Sequence, residues 1–350
     1  MNEIKNFLNN AYKENIFPGC CCSIIDHQNI ERYCVGYKSQ IISPKENDLD
    51  TLYDLASLTK VVATTPMILK LIQEKYISYD TPIQYILPDF KNNNITVFHL
   101  LTHTSGLPAD FDWSMNEDKR KIVQRICQYS HQVIPGKEVI YSDLGYIILG
   151  EIIEIITQQS LQEVLDKEIF KPLEMTHTCF CPSDIEKCAP TEYSLYAHRM
   201  LRGEVHDHKA WMMGGIAGHA GLFSHIQDLE HYAQMILNNG KYKNQTFLNK
   251  RHIDNMFTNF SPENQIPRGI GFLTYTTHSL FSSLNSKKTI AHTGFTGTSL
   301  LIDLENQIAI ILLSNRVHPT RENKKILDWR KEFHEFVIKY LTQKKKIINE

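Results

Sequence analysis

The sequence predicts an α+β fold in which an antiparallel sheet is flanked by an N-terminal and a C-terminal helix and a mostly helical lobe is inserted. Strand-like runs occur near both ends of the chain, at about 19–26 and 30–37 and again at 288–293, 298–304 and 307–314. The stretch 79–155 between them is mainly helical and rich in loops. Because no repeat or linker interrupts the chain, we expect a single domain over residues 4–342. Its α/β lobe should comprise about 1–55 and 215–342, and its helical lobe about 56–214.

The N-terminal elements follow from periodicity and turn residues. Residues 3–14 place their apolar side chains on one helical stripe, which predicts a helix. The turn-rich tetrad 26–29 joins the first two strands. A longer helix runs from Ser57 to about Glu74, and Pro66 inside it predicts a kink because its ring blocks one backbone hydrogen bond.

The later elements show clearer start signals. The strongly apolar run 144–156 predicts a buried helix at the centre of the helical lobe. Ser160-x-x-Glu163 has the pattern of a capping box, and Ser224-x-x-Gln227 is typical of a helix cap. The apolar spacing over 322–342 predicts a final helix.

Composition and charge exclude several functional classes. The 350 residues include 37 Lys+Arg and 39 Asp+Glu, so no basic surface for nucleic acid is expected. The 42% hydrophobic and 22% charged content is that of a soluble globular protein. No stretch reaches 18 uninterrupted apolar residues and the start lacks an export signal, so we expect no membrane span and a cytoplasmic location. The oligomeric state stays open.

Eight cysteines are present. Residues 20–22 are consecutive cysteines in a predicted strand, where side chains alternate between faces, so they cannot all bridge one another or share a metal. Without an export signal, we expect all eight thiols to be reduced.

A second group of potential ligands lies near the middle of the chain. Cys179, Cys181 and Cys188 lie close to His177, but their spacing does not fit the paired cysteine pattern of zinc sites. The triplet 206–208, His-Asp-His, is also a possible ligand pair, and hydrogen bonding within a loop is the simpler interpretation. We therefore expect no bound metal.

The first candidate for chemistry is Ser57-x-x-Lys60. Side chains three apart on a helix share a face, with Cβ atoms about 5–6 Å apart, so an amine can help to take the proton of the hydroxyl. A serine in a first helical turn also lies beside unpaired backbone N–H groups that can hold a negative oxygen. The alternative is an ordinary helix start, with Ser57 as the N-cap and Lys60 solvated.

Tyr141 and Asp143 open the central apolar helix and form the second candidate. A phenol beside a lysine ammonium has its anionic form favoured, so Tyr141 could accept the proton of Ser57 and return it. The alternative is a surface tyrosine next to an N-terminal aspartate.

The third candidate is His292-Thr293-Gly294 at a strand end. The glycine would let a substrate lie alongside the strand, and the N–H of Phe295 could complete an oxyanion hole with that of Ser57. The alternative is a simple turn.

Together these motifs resemble those of the serine β-lactamase and penicillin-binding protein superfamily. The resemblance is closest to the branch that holds class C β-lactamases, D-alanyl-D-alanine carboxypeptidases and related serine esterases. Further similar segments occur in the family's order between residues 52 and 316, namely 100–108, 141–150, 214–224, 292–299 and 312–316. The glycine-rich segment 214–222 lacks the spacing of a phosphate loop, so its backbone should instead pass close to a ligand or another strand.

The resemblance implies a role for each candidate residue. Ser57 would be the acylated nucleophile, Lys60 its proton-handling neighbour and Tyr141 the general base and acid. His292 would line the substrate pocket. The reaction would be acyl transfer to Ser57 and then to water, with no metal or organic cofactor.

Two departures bear on the substrate. The second motif usually ends in asparagine and here ends in Asp143, and the third usually begins with lysine and here begins with His292. A histidine with an ordinary pKa near ~6.5 is mostly uncharged at neutral pH, and Asp143 adds negative charge, so both changes disfavour an anionic substrate. We expect short-chain p-nitrophenyl esters to be preferred over nitrocefin and D-Ala-D-Ala peptides, and acylation by β-lactams to improve towards pH 6.

Three functions are consistent with these residues. The first is a serine hydrolase that acts on a small ester or amide. The second is a penicillin-recognising enzyme, either a D-Ala-D-Ala carboxypeptidase or a β-lactamase, with a β-lactam-like substrate. The third is a non-catalytic scaffold or sensor, which has no need of Ser57, Lys60 and Tyr141 together.

Overall fold

The computed structural model describes residues 3–41, 44–114, 117–130, 134–277 and 280–349; predicted segments that include the gaps fall partly outside these ranges. It confirms the α+β class. A seven-stranded antiparallel sheet has the spatial order Leu273–Thr274, Thr289–Thr293, Ser299–Asp303, Ile308–Ser314, Gly19–Asp26, Asn29–Ser39 and Lys45–Glu46.

The two ends of the chain meet at the centre of this sheet. Strand Gly19–Asp26 pairs antiparallel with strand Ile308–Ser314, with Cys20 opposite Ser314 and Asp26 opposite Ile308. The sheet therefore forms only when strands from both ends come together, as the sequence predicts.

The remaining elements lie between and around these strands. The α-helices are Glu3–Lys13, Thr65–Gln73, Val97–Leu101, Lys119–Gln128, Asp143–Thr157, Leu161–Leu165, His208–Met212, Ile226–Leu237, Lys250–Phe257 and Ile326–Asn349, with π-helical turns at Lys60–Thr64 and Asp166–Phe170. A second sheet joins Tyr53–Asp54, Leu222–Ser224 and Cys179–Phe180, and two short hairpins pair Tyr193–Ser194 with Arg199–Met200 and Lys241–Tyr242 with Gln245–Thr246. Within the described ranges, no helix has both the length and the apolar character needed to cross a bilayer.

The large sheet is covered on both faces. Alternate side chains of a strand point to opposite faces, so Ile308 and Ile310 pack against the two terminal helices. Their neighbours Ala309 and Ile311 join the other core, which also contains the central helix Asp143–Thr157. Burial on both faces explains why this strand is almost entirely apolar.

Two local predictions at helix starts differ from the structure. The helix expected from Ser57 onwards begins at Leu58, passes through the π-helical turn Lys60–Thr64 and continues as the α-helix Thr65–Gln73, so Pro66 lies directly after the π-helical turn. The proline ring removes one backbone hydrogen bond, and the helical winding changes beside it. The cap at Ser224 is wrong by one residue, because the side chain of His225 accepts the N–H of Asp228. The capping box at Ser160 is confirmed.

The expectation that all eight thiols are free is wrong for two of them. Cys21 and Cys34 form a disulfide between neighbouring strands, where they stand directly opposite each other. Because side chains alternate between the faces of a strand, Cys20 and Cys22 point away from Cys21 and cannot form a disulfide with it, as predicted. The same argument leaves Cys21 free to pair with a cysteine on the next strand. That partner depends on the register of the hairpin, which the alternation argument did not consider.

Candidate active site

Ser57 lies in a tight turn that the neighbouring loops hold in place. Ala56, directly before it, has a positive φ of 46°, which is uncommon for a residue with a side chain and typical of functional sites. The Ala56 N–H donates to Asp54 Oδ1 over 2.8 Å, and Thr296 Oγ1 donates to the Asp54 carbonyl oxygen over 2.7 Å. The Lys60 N–H donates to the Ser57 carbonyl, so the two side chains lie on one face as predicted.

Lys60 is fully buried directly beneath the Ser57 hydroxyl. Its ammonium donates to Ser57 Oγ and to the His219 carbonyl oxygen, both over 3.0 Å. It also lies 2.8 Å from Asp143 Oδ1 as an ion pair that is not aligned as a hydrogen bond. Burial by itself lowers the pKa of Lys60, but the nearby Asp143 carboxylate and Tyr141 phenol outweigh it and raise the pKa above its usual value.

The His219 carbonyl is placed by the glycine-rich segment. A Cβ on Gly218 would lie 2.2 Å from the Tyr146 carbonyl oxygen and 3.0 Å from Gly150 Cα, so only glycine fits against the central helix. Thr64 Oγ1 donates to the Gly218 carbonyl oxygen over 2.6 Å. The close approach predicted for this backbone is therefore present at Gly218, but it is to helix Asp143–Thr157 and not to the ligand or strand that was expected.

Asp143 begins that helix, and Ser142 is its N-cap. The Asp143 carboxylate lies between two ammonium groups, with Oδ1 at 2.8 Å from Lys60 and Oδ2 at 3.2 Å from Lys209. Burial raises its pKa, but the charges of Lys60, His219 and Lys209 together lower it below the usual range. Asp143 is therefore ionised, as the sequence argument assumed.

The Tyr141 ring lies between two cations. Lys60 Nζ is 5.0 Å from the ring centre and Arg268 Cζ is also 5.0 Å from it. The His103 ring packs against it at 4.5 Å, and the His292 ring lies 5.9 Å away. These contacts hold the Tyr141 ring in one orientation, and both Tyr141 and Ser57 line the same cavity.

His292 is buried and uncharged. Its Nδ1–H donates to the Thr293 carbonyl oxygen over 3.0 Å. Burial, followed by the charges of Arg268 and Lys60, moves its pKa well below the usual value. The expected improvement of β-lactam acylation towards pH 6 assumed an ordinary pKa for His292, and that assumption is wrong because the sequence showed neither the burial of His292 nor the cations around it.

Gly294 lines the cavity at Ser57 and is also required for close packing. A Cβ there would lie 2.1 Å from Thr298 Oγ1 and 2.5 Å from the Leu55 carbonyl oxygen. The third motif is thereby pressed against the turn that carries Ser57. Among the described residues, no acceptor is paired with the N–H of Ser57 or with that of Phe295.

Two cavities meet at Ser57. One, of about 360 Å³, also contacts Tyr141, Arg268 and the third motif, including Thr293. The other, of about 400 Å³, contacts Asp143 and Lys209. Phe295 also lines both cavities and is 49% exposed.

Residues 17–334 match the model of the protein family described as Beta-lactamase. The chain belongs to this family. A Salmonella agona protein named as a candidate D-alanyl-D-alanine carboxypeptidase is 34% identical over 313 residues, which cover 79% of this chain and 72% of that protein. The resemblance seen in the motifs is thus confirmed at the level of the family.

Solved structures agree with this fold. EstCE1, described as a hydrolase with promiscuous acyltransferase activity, superposes with a TM-score of 0.78 at 18% identity, over 95% of this chain and 97% of that one. The octameric penicillin-binding protein homologue from Pyrococcus abyssi gives a TM-score of 0.72 at 23% identity, over 89% of this chain and 73% of that one. At these identities the likeness shows the shared fold.

Sequence reasoning missed the positive charge that this family member places beside Ser57. Arg268 is only 7% exposed, and its Nε and Nη1 have no hydrogen-bond partner among the described residues. Arg316 and Arg330 line the same cavity. No motif or periodicity marks Arg268, which comes from a loop far along the chain, so only the folded structure could show it.

Two clusters of side chains bring potential metal-ligand atoms close together. Within the described ranges, the groups of three or more close ligands combine histidine and aspartate, as His177, His225 and Asp228 or as Asp143, Asp207 and His219, and contain no cysteine. The second group already has two lysine ammonium groups in contact with its carboxylates. A metal ion would have to compete with both.

Proposed function

We propose that the chain is a serine hydrolase that forms an acyl-enzyme on Ser57 and transfers the acyl group to water. The observation that supports this most is the buried Lys60 ammonium, 3.0 Å from Ser57 Oγ and in contact with Asp143. A buried charged lysine is expensive to maintain, and a binding module would gain nothing from placing it under a serine hydroxyl. Ser57 and Tyr141 also line both cavities.

The charge state of Lys60 suggests how the proton moves. Since Lys60 stays an ammonium, it stabilises negative charge on Ser57 Oγ and does not take the proton itself. Tyr141, reacting as the phenolate that the neighbouring Lys60 ammonium favours, accepts that proton as Ser57 Oγ bonds to the substrate carbonyl carbon, and returns it to the leaving group when the tetrahedral intermediate collapses. The free N–H groups of Ser57 and Phe295 are suited to hold the carbonyl oxygen. Water then attacks the ester by the same steps.

Labelling of the nucleophile tests the proposal. The parental protein should gain one fluorophosphonate adduct by intact mass and should hydrolyse p-nitrophenyl acetate. Ser57→Ala should lose both while its thermal unfolding stays close to parental, and the exposed Ser78→Ala should lose neither. A Ser57→Ala variant that turns over esters at the parental rate would place the nucleophile elsewhere.

The substrate is proposed to be a small ester or amide, and Arg268 favours a second candidate within that class. Its Nε and Nη1 have no hydrogen-bond partner among the described residues, and the side chain lines the same cavity as Ser57, where it can supply the charge that a third-motif lysine would supply. Guanidinium groups bind carboxylates well, so a D-Ala-D-Ala carboxypeptidase activity, as in the name of the Salmonella relative, becomes more plausible than the sequence suggested.

Matched substrates separate the two candidates. An N-acyl-glycyl thioglycolate ester and its carboxamide differ only in the leaving-group carboxylate. A carboxypeptidase-like site should prefer the acid, and Arg268→Met should remove that preference through KM, whereas Arg268→Lys and the exposed Arg120→Met should largely keep it. Equal kcat/KM for both substrates in the parental protein would favour the neutral ester.

A further inference from the structure

Lys209 occupies a position next to the site that the sequence motifs do not mark. Its side chain is 7% exposed, and it donates to Asp110 Oδ2 over 2.7 Å and to Asp207 Oδ2 over 3.1 Å. It also lies 3.2 Å from Asp143 Oδ2. Burial lowers the pKa of Lys209, but the carboxylates of Asp207, Asp143 and Asp110 outweigh this and raise it, so the side chain carries a full positive charge.

Lys209 completes a closed ring of contacts. Lys60 contacts Asp143, Asp143 contacts Lys209, and Lys209 contacts Asp207. Asp207 Oδ1 is 2.8 Å from His219 Nε2, and the His219 carbonyl oxygen accepts from Lys60. Each member of the ring therefore contacts two others. Lys60 is contacted by the Asp143 carboxylate on one side and by the His219 carbonyl oxygen on the other.

The short helix His208–Met212 fixes the position of Lys209 in this ring. Asp207 is the N-cap of that helix and accepts the Ala210 N–H through Oδ1 over 2.9 Å. The same carboxylate holds Lys209 through Oδ2. The backbone and the charged end of Lys209 are therefore both anchored by one residue.

We propose that Lys209 is a positioning residue of the acyl-transfer site, which shares the charge of Asp143 and so limits how strongly Asp143 holds Lys60. This inference rests on the proposed function of Ser57. An asparagine, usual at the position of Asp143, carries no charge that needs sharing. Asp143 and Lys209 therefore act as a matched pair in this chain.

The pair has a signature in the pH dependence of acylation. The charged and titratable groups around Lys60 and Asp143 are the following: Tyr141, Tyr146, Arg268, His103, His292, His219, Lys209 and Asp207. Removing the positive charge of Lys209 takes away one of the cations that share the Asp143 charge with Lys60. The group that accepts the Ser57 proton must first lose its own proton in more negative surroundings, so the acidic limb of kcat/KM moves to higher pH.

The experiment compares Lys209→Met and Lys209→Gln in the parental protein and in an Asp143→Asn background. The readouts are kcat/KM for p-nitrophenyl acetate from pH 5 to 10, the rate of fluorophosphonate labelling of Ser57, and the melting temperature. In the parental background the limb should move up by about 0.5–1 pH unit, the scale for a unit charge a few ångströms away in a partly solvated site. In the Asp143→Asn background it should move by less than half as much, because the shared carboxylate is gone.

Controls separate positioning from general stability. Lys209→Arg should restore the parental limb, and Lys70→Met should leave it in place, since Lys70 is a mostly buried lysine that pairs with Glu168 outside the site. Equal shifts of the acidic limb of kcat/KM in the parental and Asp143→Asn backgrounds would overturn this inference alone. So would a lowered melting temperature with no shift of that limb in a variant whose Ser57 is still labelled. A parental protein that neither labels nor hydrolyses esters would overturn the proposed function with it. Lys209→Gln keeps a polar group and decides the question if Lys209→Met does not fold.

Discussion

Lys60 carries its charge inside the protein, although burial disfavours an ammonium. The carboxylate of Asp143 at 2.8 Å offsets that penalty, so the lysine is suited to stabilise charge on Ser57 and Tyr141. His292 is affected in the opposite way, because cations and burial keep it neutral. Relative to the usual asparagine and lysine, the ionised Asp143 and the neutral His292 therefore each make the local charge more negative.

Lys60→Ala and Tyr141→Phe should each lower the acylation rate of Ser57 by at least about 10²-fold, the scale for a positioned proton-transfer group. The double variant should be little worse than either single variant, because the two residues act as one unit. Stopped-flow acylation with a p-nitrophenyl ester measures all three, with Lys70→Ala as the control. Losses that multiply in the double variant would show independent roles.

His334 links folding to pH. It is buried in the final helix, where burial lowers its pKa to about 4. The unfolded chain binds this proton below about pH 6.5 and the folded protein does not, so stability is lost as the pH falls from 6.5 towards 4. Urea unfolding at pH 7 and pH 4.5 should show that His334→Gln removes about 2–3 kcal/mol of the acid-induced loss. The exposed His198→Gln should leave that loss unchanged, and an unchanged loss in His334→Gln would contradict the assignment.

At the scale of elements, the strands were more predictable than the helix starts. Strand Gly19–Asp26 has the predicted bounds because its apolar run is closed by a turn-rich tetrad. The π-helical turn Lys60–Thr64 was not predictable, since apolar spacing over one turn does not distinguish it from an α-helix. Arg268 and Lys209 reach the site through tertiary packing, for which single-sequence periodicity holds no signal.

Gly218→Ala should show that the glycine-rich segment positions the site. Its Cβ would overlap the Tyr146 carbonyl, so we expect a loss of about 2–3 kcal/mol in the free energy of unfolding. The rate of Ser57 labelling should also fall, because the His219 carbonyl that accepts from Lys60 would move. Gly214→Ala is the control: no atom lies within 4 Å of its Cβ, and its positive φ of 83° accounts for only about 1 kcal/mol. Equal losses from the two variants, by urea unfolding, would contradict the close-packing argument.

For the whole molecule, the large sheet connects the two cores. One core includes residues of the terminal helices, and the other runs from the sheet into the central helix of the helical lobe. Strand Ile308–Ser314 contributes to both. Because its pairing with strand Gly19–Asp26 needs both ends of the chain, we predict that the two lobes unfold as one cooperative unit.

Phe333→Ala tests that cooperativity from a position far from Ser57. The Phe333 ring is fully buried in the final helix and lies 6.2 Å from the Phe7 ring and 5.0 Å from the Trp329 ring. Its removal should lower the free energy of unfolding by about 3–5 kcal/mol, the usual cost of truncating a buried phenylalanine. Native-state hydrogen exchange should then show the same loss of protection in peptides from 308–314 and from 143–157, and Tyr85→Ala at the exposed surface should change neither. Unchanged hydrogen-exchange protection in 143–157 would mean that the helical lobe is stable without the sheet, because a cavity in one core does not lower the stability of a unit that unfolds independently.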